Sequence, residues 1–489
     1  MGLLIGVGST RPSFAYDHYY GIEFDTSVSN PDCTRIGKAE LHASLPVQSK
    51  MRRCLLDDDG VVVHYLNANN SALTDTGATA DLTGASGNVM VEIPEFYVKF
   101  EMEGTKCRVM ISEYALPGFT KWSRKYVSAY EAALDRTNKV LYSCVNETEQ
   151  FRGGNNSTAY DADDFTLLGR PATSLSLANY RTYARTGRDT RWNCNTYDVQ
   201  KTLYWLFAIE YATLNSQKAY NAEKTSDGYR QGGLGNGVTD INGTKWNSWC
   251  AYNPFVPCGY TNALGNATGV VGFAMPSGYG AEFTTYVPSY RGVENPFGHI
   301  WKWTDGILVN NYAMMVCDDP ANYASSVTDA YVERGTTPSS NGYVKQVMFG
   351  EYGDIMPLAI GGGSTTYLCD YFYIASGLRG VRFRGFAIYG TYAGFVYANA
   401  NNAPSNTNAN IGSRQCLKDG VSNNTSKYAE CRKPCHKNGA TWIVARGMCH
   451  RMVRAKNNIP ETGFGRCGNT PTNPECKQRT TNETCKQFV

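Results

Sequence analysis

Charge is scarce in this chain. Asp, Glu, Lys and Arg make up only 18% of its 489 residues, and the net charge is +3. With 42% hydrophobic residues, that balance argues for a packed globular protein with an uncharged polar surface, not a disordered polyelectrolyte. Long apolar runs are also lacking. None approaches the roughly 20 residues that cross a bilayer, so membrane insertion is not expected. The opening Met1-Gly2-Leu3-Leu4-Ile5-Gly6 has neither the charged region nor the apolar length of a secretory leader. Gly6 also departs from the myristoylation pattern. The expectation is synthesis in a cytoplasm without export. The six histidines (His18, His42, His64, His299, His436 and His450) are scattered, and none falls in a helical metal-ligand pattern. Arg152-Gly153-Gly154-Asn155-Asn156 and Gly361-Gly362-Gly363-Ser364 are glycine-rich but complete no phosphate-binding loop. Asp57-Asp58-Asp59 reads as a solvated turn. No catalytic residue, metal or cofactor is therefore expected.

Glycine (49) and tyrosine (34) are abundant, which favours turns, short strands and irregular loops. Tyrosine is also the side chain that gives binding loops contact area at little entropic cost. The 16 cysteines divide by position. Ten are widely spaced before residue 417 and read as buried thiols. Cys431, Cys435, Cys449, Cys467, Cys476 and Cys485 crowd the end, beside His436 and His450, in a spacing that fits no firm zinc template. Residues 418–489 hold 13 Lys/Arg against 5 Asp/Glu, so the rest of the chain is net acidic. A basic run of this kind is more often solvated than bound to nucleic acid, and no nucleic-acid partner is expected.

Three regions follow: a β-rich stretch 1–85, a large unit 86–416, and a basic cysteine-rich appendage 417–489. In the first, Tyr19–Phe24 and Val61–Val63 read as strands and 66–88 as a linker or long loop. Val89–Phe100 opens the second as a strand. Tyr126–Leu134, Ser176–Arg185 and Asp198–Asn215 read as helices. The last is the strongest, with Val199, Leu203, Leu206, Phe207 and Leu214 near helical spacing and Asp198 as N-cap. Residues 218–416 read as mostly irregular, the kind of long loop structure that tends to be functional.

Two motifs carry more. In Gly298-His299-Ile300-Trp301-Lys302-Trp303-Thr304-Asp305-Gly306, Trp301 and Trp303 share one face of an extended segment. Arg379-Gly380-Val381-Arg382-Phe383-Arg384-Gly385-Phe386 leads through an Ala/Asn/Tyr-rich stretch to Asn410-Ile411-Gly412-Ser413-Arg414. The first resembles the Gly-Asn-Val-Trp-Glu-Trp-Thr core strand of formylglycine-generating-type C-type-lectin domains, with His299 in place of Asn and Lys302 in place of Glu. The second resembles the Arg-Gly-Gly…Gly-Phe-Arg ending of the same fold. The resemblance spans about residues 86–416. It implies an α+β, C-type-lectin-like domain with many irregular loops after a small β-rich domain, with Trp301, Trp303, Gly412 and Arg414 as its structural core.

Within that fold the chain is most similar to the variable proteins of diversity-generating retroelements. There, an error-prone reverse transcriptase replaces template adenines, and Asn codons altered at their first two positions never encode Lys, Glu, Gln, Met or Trp. Residues 380–414 contain none of these five, although exposed loops are ordinarily rich in Lys and Glu. The resemblance implies a variable receptor-binding set: Arg382, Arg384, Phe386, Ile388, Tyr389, Thr391, Tyr392, Val396, Tyr397, Asn401, Asn402, Asn406, Asn408 and Asn410. An Asn/Ala-rich loop of any globular protein would look the same from composition alone.

The function so implied is that of a non-enzymatic phage-tail adhesin. It would be a homotrimeric virion component made in the host cytoplasm, partnered by tail proteins and by a protein or glycan receptor on the bacterial surface. A bacterial surface or cytosolic display protein with the same diversified fold is the alternative. A formylglycine-generating oxidase needs a close cysteine pair near the closing motif, whereas only Cys369 and Cys416 flank the window. Calcium-dependent sugar binding is disfavoured because Glu294-Asn295-Pro296 has the wrong order and no Trp-Asn-Asp follows.

Overall fold

The computed structural model describes residues 16–162, 165–279, 283–419, 435–437, 440–445, 448–454 and 460–466. It divides into two units, Met1–Asp419 and Gly420–Val489. The second contributes a four-stranded antiparallel sheet, Cys435–Lys437, Ala440–Ala445, Met448–Arg454 and Pro460–Arg466. Cys431, Cys467, Cys476 and Cys485, like the opening hexapeptide, lie outside the described residues.

The first unit is largely β, with four short to medium α-helices among the described residues, so the β part of the expected α+β class dominates. Nor is residue 85 a boundary between packed units. Strand Tyr20–Asp25 pairs with Lys106–Ser112 from Tyr20↔Ile111 to Asp25↔Lys106, and Arg52–Leu56 pairs with Asn88–Ile93. Alternating apolar side chains such as Tyr20, Ile22, Val109 and Ile111 face one core, and hiding them requires strands from both sides of that position. The expected linker 66–88 holds a further strand, Asn70–Thr74, folded back on Val62–Asn67. The Asn67 carboxamide fastens the turn by accepting from the Asn69 amide at 3.0 Å, an Asx turn.

The Tyr126–Leu134 expectation also fails. Lys125–Ser128 is a strand paired on one edge with Asn88–Ile93 and on the other with Gln415–Lys418, and Ala133–Asp135 is a second short strand. Local apolar spacing suits a helix, but the two flanking strands satisfy the backbone and bury Tyr126 and Val127, so tertiary pairing wins. The two other helices are present. Leu177–Arg185 begins at Ser176 in a capping box with Asn179. Tyr197–Tyr211 begins at Thr196, whose hydroxyl accepts from the Val199 amide, and not at the expected Asp198. Every residue of that helix except Asp198 is buried, as suits a helix running through a core and not along a surface.

Residues 218–416 are far from structureless. They build a complete nine-stranded sheet in the order Val332–Thr336, Ala313–Val316, Trp301–Asn310, Leu378–Phe383, Ala398–Ala400, Tyr371–Ile374, Gly342–Val347, Pro357–Ile360, with Ile411–Gly412 added beside Trp301. These strands are short and separated by long connections, so no sustained period-two pattern marks them in sequence.

Candidate functional site

Register across this sheet sets the site. Trp303 lies opposite Arg382, Arg382 opposite Asn399, and Asn399 opposite Tyr373. Directly paired residues project to the same face, so these four side chains form one row across four strands. Residues two along each strand share that face, which adds Trp301, Tyr397 and Tyr371. Tyr343, opposite Tyr371, extends the row to a fifth strand.

The loop between the 378–383 and 398–400 strands folds over this face. Tyr389 stands edge-on to Trp301, Phe386 and Tyr397, with centroids at 5.4, 4.6 and 5.2 Å. Tyr392 stacks on Tyr371 at 4.2 Å and 11° and meets Tyr343 edge-on at 5.4 Å. The Tyr343 hydroxyl lies 3.1 Å from Thr391 Oγ1. Tyr343, Tyr371, Tyr373, Tyr389 and Tyr392 remain half-buried, with Ile388 and Thr391 exposed beside them. The result is a tyrosine cluster, rigid in its packing and wet at its edge.

The loop is held from below. The Asp370 carboxylate accepts from the Val396 amide at 2.8 Å. A side chain at residue 394 would stand only 2.0 Å from Asp370 Oδ1, so only glycine lets the backbone approach this closely. Burial raises the Asp370 carboxyl well above the usual range, and the amides of Val396 and Tyr397 offset only part of that. The anchor is thus a buried acid whose partners are backbone donors.

The expected variable set divides in two. Ile388, Thr391, Asn401 and Asn408 are exposed, and Tyr389, Tyr392, Asn402, Asn406 and Asn410 are half-buried. Arg382, Arg384, Phe386, Val396 and Tyr397 are buried, which corrects the expectation that the whole window faces outward. Phe386 packs on Trp246 at 5.7 Å and Trp301 at 6.1 Å. Arg384, fully enclosed, donates from Nε to Gln200 Oε1 at 2.7 Å. Val396 and Tyr397 lie in the same continuous apolar core. Strand alternation and loop return turn these five inward, a distinction that residue type alone does not carry.

Trp301, Trp303, Gly412 and Arg414 are all buried. A Cβ on Gly412 would sit 2.5 Å from Ile300 Cδ1. Arg414 ties the end of the unit to its interior, donating to the carbonyls of Ser128 at 3.0 Å and Asn295 at 2.8 Å, and to that of Glu294. The two departures in the tryptophan strand are linked through Glu131, a residue with no signal of its own in the sequence. His299 Nδ1 lies 2.5 Å from Glu131 Oε2, and Lys302 Nζ lies 2.5 Å from Oε1. Because His299 Nε2 faces the amides of Phe255 and Val256 at 3.2 Å, it accepts, and the proton resides on Nδ1. Burial works against the Glu131 charge, but Lys302 and His299 outweigh it and keep the carboxyl below its ordinary range.

A second concavity, about 490 Å³, is lined by Lys99, Lys121, Lys125, Lys201, Arg334 and Lys418 together with Phe100, Trp122 and Tyr352. Its cations are already engaged. Lys99 pairs with Glu101 at 2.5 Å, Lys121 with Glu95 at 2.7 Å, Lys125 with Asp198 at 2.8 Å, Lys201 with Asp354 at 3.1 Å, and Arg334 with Asp318. That internal pairing suits a structural role for the charges.

The ten cysteines among residues 16–419 are free thiols. Cys369 and Cys416 are buried, and burial pushes both thiols up to about 12.

No protein-family model and no curated protein matches the chain. Similar solved structures include the P3c variant of the Major Tropism Determinant, at 14% identity over 60% of this chain and 50% of that one, with a TM-score of 0.25. The chain thus spans half of that protein's length. The M1 variant aligns at 13% identity over 83% and 73%, with a TM-score of 0.26. PvdO from Pseudomonas aeruginosa aligns at 10% identity over 68% and 95%, with a TM-score of 0.29.

Proposed function

We propose that this chain is a receptor-binding adhesin of a phage tail, a C-type-lectin-like scaffold that displays a retroelement-diversified face to the bacterial host. One observation carries the reading. The window that avoids Lys, Glu, Gln, Met and Trp also supplies the half-buried rim of a tyrosine cluster and the exposed Asn loop beside it. Tyrosine offers large rigid contact at low entropic cost, and Asn and Thr offer adaptable hydrogen bonds. Ile388, Thr391, Asn401 and Asn408 can vary at little cost to stability, since exposed positions change it by about 0.5 kcal/mol or less. The receptor-binding residues of this reading are therefore Ile388, Tyr389, Thr391, Tyr392, Asn401, Asn402, Asn406, Asn408 and Asn410, with Tyr343, Tyr371 and Tyr373 as invariant partners from outside the window. Arg384, Phe386, Val396 and Tyr397 belong to the support.

The role is binding and not catalysis. An oxidase of the formylglycine-generating type needs a reactive thiolate, and the high values at Cys369 and Cys416 favour inert buried thiols. A homotrimer on the virion would multiply weak single-site binding by about 10²–10⁴ where geometry allows joint engagement.

The test is adsorption of the labelled full chain to a panel of bacterial strains. Retention on a subset of strains, lost when 388–392 and 401–410 are exchanged for another polar and aromatic set, supports the reading. Retention on none, or retention indifferent to the exchange, overturns it. Sequencing the flanking DNA adds a second check, because a near-copy of codons 380–414 that differs only at adenines is expected beside a reverse-transcriptase gene.

A further inference from the structure

Arg382 is the inward-turned member of the window that lies next to the displayed residues. It is 4% exposed, directly beneath the tyrosine rim. Its guanidinium lies over the faces of Trp301 and Trp303, at 5.3 and 5.4 Å from their centroids. Nη2 donates to the carboxamide oxygens of Asn399 at 2.8 Å, Asn401 at 3.0 Å, and Asn402. Nε is buried without a partner. No carboxylate takes part. Burial pushes its ionisation down to about 10, against a smaller opposing effect of Tyr389 and Tyr397.

Several buried cations of this unit meet carboxylates, although Arg384, deeper in the core, also meets only carboxamides. Arg181 grips Asp305, Arg291 grips Glu210, Lys302 meets Glu131 and Lys201 meets Asp354. A buried charge is ordinarily paired because desolvation is otherwise uncompensated. Arg382 lacks a carboxylate, and its unpartnered Nε, unlike the unpartnered Nη1 of Arg384 in the core, lies under side chains that are themselves partly exposed. Asn401 is exposed, and Asn402 and Tyr389 are half-buried, so side chains and not backbone stand between the guanidinium and solvent. The planar fork suits an oxyanion with two donatable oxygens. Around it stand ring faces for an apolar surface, and carboxamides and phenols for hydroxyls.

We propose that Arg382 is the anion subsite of the receptor face, and that the receptor group it takes is an acidic sugar, whose carboxylate or phosphate meets the guanidinium while the sugar ring lies against Tyr373 and Tyr389. This rests on the adhesin reading and gives it a ligand class. An acidic peptide is disfavoured because the face is lined by rings and carboxamides suited to the C–H face and hydroxyls of a pyranose.

The experiment is direct binding by the full chain, read by saturation-transfer NMR at constant ionic strength, with sodium D-glucuronate, glucose 1-phosphate, glucose and a tetra-glutamate peptide as probes. At least ten-fold tighter binding of either acidic sugar than of glucose is expected, and the stronger of the two identifies the anion. Arg382→Lys keeps the charge but loses the fork, and should weaken the acidic sugars about ten-fold. Because Arg382 is buried, Asn402→Asp serves as the second variant. It sets a carboxylate on Nη2 from a partly exposed position and should raise the melting temperature while abolishing the preference over glucose. Equal binding of glucuronate, glucose 1-phosphate and glucose overturns the inference, as does an undiminished preference in Asn402→Asp, or tighter binding of the peptide than of either acidic sugar. Adsorption to bacteria is scored separately. No preference for acidic sugars in the unsubstituted chain, with adsorption intact, defeats this inference alone, and absence of adsorption to every strain defeats the reading beneath it.

Discussion

The cradle around Glu131 and the tyrosine face lie on the same tryptophan strand, yet their chemistry is opposite. In the cradle, Glu131 is hydrogen-bonded to His299 and ion-paired with Lys302 deep in the interior. On the face, five half-buried tyrosines meet chiefly other rings, and the cation beneath them is held by carboxamides and two indole faces. Buried charges paired with one another fix a structure. Groups left with spare capacity at a surface are available to something else. The contrast separates the scaffold from what the scaffold presents.

The contrast can be pressed from either end. Replacing Glu131 with Ala leaves Lys302 buried without its carboxylate, and should cost about 3–5 kcal/mol, read as a fall in the urea midpoint. A loss under 1 kcal/mol would mean that water already reaches the cradle. Within the window, Phe386→Ala or Phe395→Ala should cost about 3–5 kcal/mol as buried rings, while Ile388→Ser or Asn408→Ser should stay within about 0.5 kcal/mol. Equal costs at the two kinds of position would erase the division between support and display.

A smaller effect is expected at Asp370. Its folded-state carboxyl is raised above the unfolded value, so the folded protein holds the proton more tightly. Stability should therefore be greatest below the unfolded carboxylate range and fall as the pH rises toward the folded value, at no more than about 1.4 kcal/mol per pH unit. Asp370→Asn keeps an acceptor for the Val396 amide and should flatten that slope in denaturation measured from pH 4 to pH 8. A slope unchanged by the substitution would assign it to other groups. Tyr392→Ala should lose one stacked pair, worth about 0.5–1.5 kcal/mol beyond its burial.

How much of this was legible in the sequence differs by element. Tyr197–Tyr211 is long and strongly apolar, and its presence is plain from spacing, with only its cap misplaced by two residues. Lys125–Ser128 was not, because its local pattern suits a helix and only the strands at its two edges make it β. The exposed Asn positions were legible as a group, through what the window lacks. The inward turn of Arg382, Arg384, Phe386, Val396 and Tyr397 was not, because it depends on register against Trp303 and Asn399 rather than on residue type. Tyr343, Tyr371 and Tyr373 were missed because they lie before the window, joined to it only by strand order. Glu131 had one faint signal: two departures in the tryptophan strand, one of which exchanges an acid for a base and so calls for an acid elsewhere.

The most direct measurement of the central claim exchanges residues 388–392 and 401–410 in the full chain and follows melting temperature and adsorption to bacterial strains on the same sample. The account predicts a melting temperature nearly unchanged and a different set of strains bound. A collapse in melting temperature, or an unaltered set of strains in a protein that melts normally, would contradict it.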